Sequence, residues 1–194
     1  MSALRTSRGD APLHAWGAAL RKARLHCRRI RRAAISIGIL VSAVGWTVGF
    51  QPAPRLVWNA SASAPIGLYS VSPGTVVATG DMVIATLPEP SRAFAATRRY
   101  LPSNVPLVKR VAAGPGDEVC AIGARIFVEG MPVASRRQRD GHGRLMPWWE
   151  GCRRLRGGQF FLLMKGSPDS FDGRYFGVTA GSEIVGPARL LWAR

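Results

Sequence analysis

Residues 107–135 read LVKRVAAGPGDEVCAIGARIFVEGMPVAS. Short apolar, β-branched runs are interrupted by Gly, Pro and Asp, the pattern of short strands joined by tight turns. Strands are expected at Leu107–Ala112, Glu118–Ile122, Arg125–Val128 and Met131–Ala134. Gly114-Pro115-Gly116-Asp117 is strong turn chemistry closing the first of them. Glu129-Gly130 between IFV and MPV reads as a tight hairpin turn.

The same pattern continues on both sides, with strands expected at Gly67–Val71, Met82–Leu87, Gln159–Met164 and Ile184–Leu191. Helical periodicity is weak, and Pro90–Tyr100 is the one short helix expected beyond the N-terminal region. Residues 51–194 therefore read as one mainly β domain, a coiled or barrel-like set of antiparallel sheets. A domain of that size buries enough surface to fold without a metal or a dense disulfide network.

Residues 33–50, AAISIGILVSAVGWTVGF, contain no charge. At 1.5 Å per residue they cover about 27 Å, enough to cross a bilayer core as a helix. A cleaved signal peptide fits less well, because its apolar segment is shorter and a small-residue cleavage site follows it directly. Residues 1–32 hold nine Arg and Lys against the single acid Asp10, half of the chain's net charge of +16. That basic arm reads as a topology signal which stays in the cytoplasm and sends Gln51 onward across the membrane. It implies contact with lipid, not nucleic acid, since no DNA- or RNA-binding signature accompanies it. A second basic cluster, Arg136, Arg137, Arg139 and Arg144 around Gly141-His142-Gly143, reads as an exposed loop.

Cys120 and Cys152 fall in the translocated domain, whereas Cys27 falls in the arm. In an oxidising compartment a Cys120–Cys152 disulfide is expected, the alternative being two separately buried thiols. No metal-type spacing of cysteine or histidine is present, and neither a metal nor a cofactor is expected.

Three segments carry candidate chemistry: residues 59–69, NASASAPIGLY; residues 107–117, LVKRVAAGPGD; and residues 166–177, GSPDSFDGRYFG. Of the three histidines, His14 and His26 lie in the arm and His142 in a glycine-rich loop, so a Ser-His-Asp triad is disfavoured. Lysine is the remaining base. There are three lysines, and with Lys22 in the arm the candidates are Lys109 and Lys165. A lysine amine takes a proton from serine near neutral pH only if burial lowers its pKa from about 10.4 toward 7–8. Lys109 sits in the apolar run Val105–Ala113, where a strand can bury it.

These segments, in this order and downstream of a basic arm and an anchor, resemble the three boxes of the type I signal peptidase superfamily. The resemblance is greatest to the TraF-type conjugative transfer signal peptidases, which are Ser/Lys dyad serine proteases. SASAPIGLY is similar to the nucleophile box of that branch, LVKRVAAGPGD to the general-base box and DSFDGRYFG to the C-terminal box. The resemblance implies Ser63 as nucleophile and Lys109 as its base. It further implies Ser61 as a hydroxyl that helps the Ser63 backbone N–H hold an oxyanion, Ser170 as the residue orienting the lysine, and Asp172 with Arg174 as a supporting ion pair. Gly173 departs from the broader family, which often has Ser there, and Ala64 replaces the usual Met after the nucleophile.

The function so implied is a membrane-bound endopeptidase. It would remove leader segments from exported proteins, with the pilin subunit of a conjugative transfer system as the substrate expected. The expected location is the bacterial inner membrane, with the domain in the periplasm. A general signal peptidase and a catalytically silent component of a transfer complex are the alternatives.

Overall fold

The computed structural model describes residues 11–49 and 53–194, which fall into an N-terminal helical unit and a β-rich unit from Ala53 onward. The expected arm residues Arg5, Arg8 and Asp10 and the expected anchor end Phe50 lie outside the described residues.

The helical unit is one continuous helix, α1, from Ala11 to Gly49. The helix runs without interruption through Ala33, where the basic arm gives way to the apolar run. Residues 18–32 are mostly Ala, Leu, Arg and Lys, strong helix formers, and nothing there stops the helix before the apolar run begins. Within α1, Trp16–Thr47 is long and apolar enough, by length and composition, to cross a membrane.

The β-rich unit contains eleven strands: β1 Leu56–Asn59, β2 Gly67–Val71, β3 Met82–Ala85, β4 Leu107–Ala113, β5 Glu118–Ile122, β6 Arg125–Val128, β7 Met131–Ser135, β8 Gly151–Arg154, β9 Gln159–Leu163, β10 Thr179–Ala180 and β11 Ile184–Ala193. Two short helices, α2 at Glu89–Thr97 and α3 at Gly173–Phe176, and a 3-10 turn at Gly181–Glu183 complete it. One antiparallel sheet has the order β1-β2-β11-β3-β4-β9-β10, and a second has the order β7-β6-β5-β8. The long β11 pairs with β3 through its first half and with β2 through its second half, and shifts register in each ladder. Such bulges increase local twist and bend a strand, which curls the large sheet. This is the mainly β, coiled antiparallel architecture expected from the sequence.

The turn chemistry is explicit. Glu129 and Gly130 both have positive φ, 49° and 73°, as a two-residue hairpin between paired Val128 and Met131 requires. Gly114 N–H donates to Asp117 Oδ2 at 2.8 Å, closing the turn that follows β4.

Three strands had no expectation attached. β1 reads as linker because it has only four residues, LVWN, after Pro54 and Arg55. β8, GCRR, is exposed at every position, so no apolar alternation announces it. β10 has two residues. The expected helix over Pro90–Tyr100 begins at Glu89 and ends at Thr97, with Arg99 in the left-handed region at φ 59°.

The second basic cluster is not a uniformly solvated loop. Arg136 is buried: its guanidinium donates to the carbonyls of Gly123 and Trp149 and to Glu150, and stacks over Trp148 at 3.6 Å. Arg144 pairs with Asp140 at 2.7 Å and Arg137 with Asp169 at 2.5 Å. These carbonyls and carboxylates need donors, and the arginines supply them.

Two regions of the core bear on the site. Ala64, Tyr69, Val71, Ile84 and Val108 form one buried apolar cluster, and Leu87, Ala95 and Leu107 form another with Tyr100, Phe171 and Phe176. Ala64 thus ties the Ser63 turn to one apolar cluster, and Phe171 ties the chain next to Ser170 to the other.

Candidate active site

Lys109 lies within β4, whose side chains are buried at Leu107, Val108, Lys109, Val111 and Ala113. It is 3% exposed. Its Nζ is 3.0 Å from Ser63 Oγ and 2.7 Å from Ser170 Oγ, so the amine bridges the first and third sequence segments. Burial pushes the Lys109 pKa down to about 8; the Asp172 carboxylate draws it up and the Arg174 guanidinium presses it down. Lys165, the other candidate base, is exposed on the turn after β9, and His142 is exposed in its loop.

Ser63 is half-buried on a turn closed by Ala64 N–H to the Ser61 carbonyl at 3.4 Å. Ser61 Oγ is 3.0 Å from Ser63 Oγ and accepts from Ser63 N–H at 3.4 Å. The two groups expected to hold an oxyanion therefore face each other across the turn. Immediately after it, Gly67 starts β2 at φ 156°, and a Cβ there would stand 2.0 Å from the Trp192 carbonyl. Only glycine lets β2 approach β11 so closely, which gives the Gly of the first segment a packing reason.

Ser170 is 2% exposed and sits between the turn at Ser167 and α3. Asp172 caps α3, accepting from Arg174 N–H at 3.2 Å and from Met164 N–H at 3.1 Å. The Arg174 guanidinium grips the same carboxylate through Nε at 2.9 Å and a terminal nitrogen at 2.8 Å. It also donates to the carbonyls of Ser135, Met164, Ser167 and Pro168. Both residues are at most 1% exposed. A buried pair of this kind needs such extra hydrogen bonds to offset its lost hydration.

The structure thus brings Ser61, Ser63, Lys109, Ser170, Asp172 and Arg174 into one region and leaves Cys120 and Cys152 elsewhere. Those cysteines are a register pair between β5 and β8 in the second sheet, joined at a Cα–Cα distance of 3.9 Å. Two surface recesses, of about 550 and 400 Å³, include none of the six residues.

The sequence profile of the family described as signal peptidase, peptidase S26, matches residues 28–193. The chain belongs to that family. Conjugal transfer protein TraF of Agrobacterium fabrum is 34% identical over 143 residues, covering 68% of this chain and 78% of that protein. Plasmid transfer protein TraF of Escherichia coli is 33% identical over 137 residues, covering 66% and 77%. The relationship is therefore to the TraF branch of the peptidase S26 family, and the N-terminal apolar helix fits a membrane-anchored member. A signal peptidase I structure from Enterococcus faecalis V583 aligns with a TM-score of 0.35 at 16% identity, covering 58% of this chain and 97% of that one.

One residue of this S26 member had no role assigned from sequence. Asn59, 7% exposed, bonds through its side chain to the backbone at Ser61, Ala64 and Pro65. Its signal was an Asn two residues before Ser61, where an Asx turn forms.

Proposed function

We propose that this chain is a membrane-anchored serine endopeptidase that cleaves leader segments from exported proteins, with a pilin precursor of a conjugative transfer system as substrate. The observation that carries this reading is the buried Lys109 amine 3.0 Å from the Ser63 hydroxyl, with no imidazole competing for it among the described residues. TraF relatives named for conjugal and plasmid transfer support the choice of substrate. The basic N-terminal arm supports a cytoplasmic N-terminus and a periplasmic domain.

The geometry supports the following chemistry. Ser170 Oγ accepts one Lys109 N–H, which leaves the lone pair of the neutral amine for the Ser63 proton. Ser63 Oγ attacks the scissile carbonyl as its proton passes to Lys109. The tetrahedral oxyanion takes the place of Ser61 Oγ as acceptor at Ser63 N–H, and a turned Ser61 hydroxyl supplies a second donor. The Lys109 ammonium then protonates the leaving amine, and the C–N bond breaks to give an acyl-Ser63 ester. Water, deprotonated by Lys109, attacks that ester; its collapse returns the proton to Ser63 Oγ and frees the new carboxyl terminus. With a pKa of about 8, roughly a tenth of the amine is neutral at pH 7.

The test is co-expression of wild type, Ser63→Ala and Lys109→Arg with a pilin precursor, following precursor size. Wild type is expected to shorten the precursor and both variants to leave it intact. Arginine keeps the charge but does not deprotonate, so processing by Lys109→Arg would sink the dyad. A wild type that processes no precursor, although present in the membrane, would favour a silent structural component.

A further inference from the structure

The turn carrying Ser63 is held from outside itself. Asn59 stands at the end of β1, and its side-chain amide donates to the carbonyls of Ser61 at 2.9 Å, Ala64 at 3.1 Å and Pro65 at 3.0 Å. Its Oδ1 accepts from Ser61 N–H at 3.1 Å. Tyr69, in β2, adds a bond from its hydroxyl to the Pro65 carbonyl at 2.8 Å. Between the points so fixed lie Ala62 and Ser63, and neither is touched by Asn59.

That distribution is specific. The carbonyls of Ser61, Ala64 and Pro65 belong to the peptide groups one step beyond the two that flank Ser63, so bonding them to Asn59 fixes both ends of the short segment that carries Ser63. The Ser63 N–H is left with no backbone acceptor and only Ser61 Oγ at 3.4 Å. An N–H in that state is what a developing oxyanion needs, and its direction is worth catalysis only if it is fixed before substrate arrives. β1 and β2 are paired directly, Asn59 opposite Gly67. The clamp is therefore anchored in the sheet, not in the loop it shapes.

We infer that Asn59 is a positioning residue for the reaction, acting through the Ser61–Pro65 turn to aim the Ser63 N–H and hydroxyl. This rests on the peptidase reading above. Its contribution belongs to the tetrahedral state, so removing it lowers kcat and spares KM. It makes no contact with Lys109, so the pH at which activity develops is unaffected.

The test uses full-length protein in detergent micelles and a quenched fluorogenic peptide with Ala-Ser-Ala before the scissile bond. Asn59→Ala is expected to lower kcat by up to about a hundredfold, the cost that an ångström of misplacement can carry, with KM unchanged and the acidic limb of the rate profile still near pH 8. Asn59→Asp keeps the acceptor but loses both amide N–H donors shared among the three carbonyls, and is expected to lower kcat at least as far as Asn59→Ala. Hydrogen exchange read by mass spectrometry is expected to speed up at residues 61–66 and not at 107–113. Folded Asn59→Ala with wild-type kcat overturns the assignment. So does a loss of activity that merely tracks the folded fraction, or one in which the pH limb moves. If Asn59→Ala does not fold, Asn59→Ser carries the test, with kcat expected to fall at least several-fold and an unchanged kcat overturning the assignment. Wild type inactive on this peptide and on a pilin precursor overturns the peptidase reading, and with it the catalytic half of this one. Unchanged exchange at residues 61–66 in Asn59→Ala overturns the clamp itself, whether or not the protein is active.

Discussion

At the scale of the residue, a lysine amine 3% exposed is a liability to the fold that the proposed chemistry requires. Burial lowers its pKa from 10.5 to about 8. The folded state therefore binds fewer protons than the unfolded state between about pH 8 and pH 10.5, and the stability contributed by this group rises with pH across that window. Below pH 8 both states are protonated, and the penalty of the buried charge is fully present, on the order of 3 kcal/mol. Lys109→Met removes the charge while keeping most of the packing. It is expected to stabilise the protein against urea at pH 6–7 by about 1–3 kcal/mol once the lost hydrogen bonds are allowed for, and its advantage should shrink as pH rises from 8 to 10.5. Paired urea curves at pH 6, 8 and 10 check this; an advantage that grows with pH would contradict the burial argument. The same pKa sets activity, which should rise about tenfold per pH unit below 8 and level off above it.

At the scale of the element, α3 is four residues long, yet it organises the third segment, because Arg174 reaches back to four carbonyls and one carboxylate. Arg174→Met would leave Asp172 buried without its partner, and is expected to cost about 3–5 kcal/mol, much of it restored by adding Asp172→Asn. Thermal or urea unfolding of the single and double variants measures that recovery. Gly173 is fixed by its neighbours: a Cβ would lie 2.7 Å from the Phe161 ring and 2.8 Å from the Leu162 carbonyl. Gly173→Ser is therefore expected to destabilise by about 1–3 kcal/mol instead of supplying the hydroxyl found in the broader family. A variant as stable as wild type would mean β9 yields freely there. Elements of this kind also mark what was legible beforehand. Leu107–Ala112 could be read because an apolar run with two valines ends in Gly-Pro-Gly-Asp; the run made Lys109 a candidate base beside Lys165, and the resemblance to the general-base box chose between them. β8 could not be read, since four exposed residues form a strand only through their ladder and disulfide to β5. Of Asn59 only the Asx turn to Ser61 was legible, not its bonds to Ala64 and Pro65, and the burial of Arg136, which answers carbonyls distant in sequence, was not legible at all.

At the scale of the whole molecule, the three cysteines report on both topology and stability. Cys27 lies in α1, within the basic stretch proposed to remain in the cytoplasm. Cys120 and Cys152 lie in the β-rich unit, 32 residues apart in sequence and bridged between β5 and β8. A closed loop of that length is worth about 2–4 kcal/mol, and β8 is an edge strand with no buried side chain to hold it otherwise. Replacing both cysteines by serine is thus expected to cost about that much in urea unfolding and to raise hydrogen exchange first in β8. The orientation makes a sharper demand. In bacterial cells with a permeabilised outer membrane, a membrane-impermeant maleimide should label none of the three cysteines before reduction. After treatment with dithiothreitol it should label Cys120 and Cys152, because Cys152 is exposed and the bridge is open to reductant, and it should still not label Cys27. Labelling of Cys27 from outside would reverse the proposed orientation. Labelling of Cys120 or Cys152 without reductant would mean that the bridge is not closed in the cell, whereas no labelling of Cys152 even after reduction would overturn the periplasmic placement of the Ser63–Lys109 site.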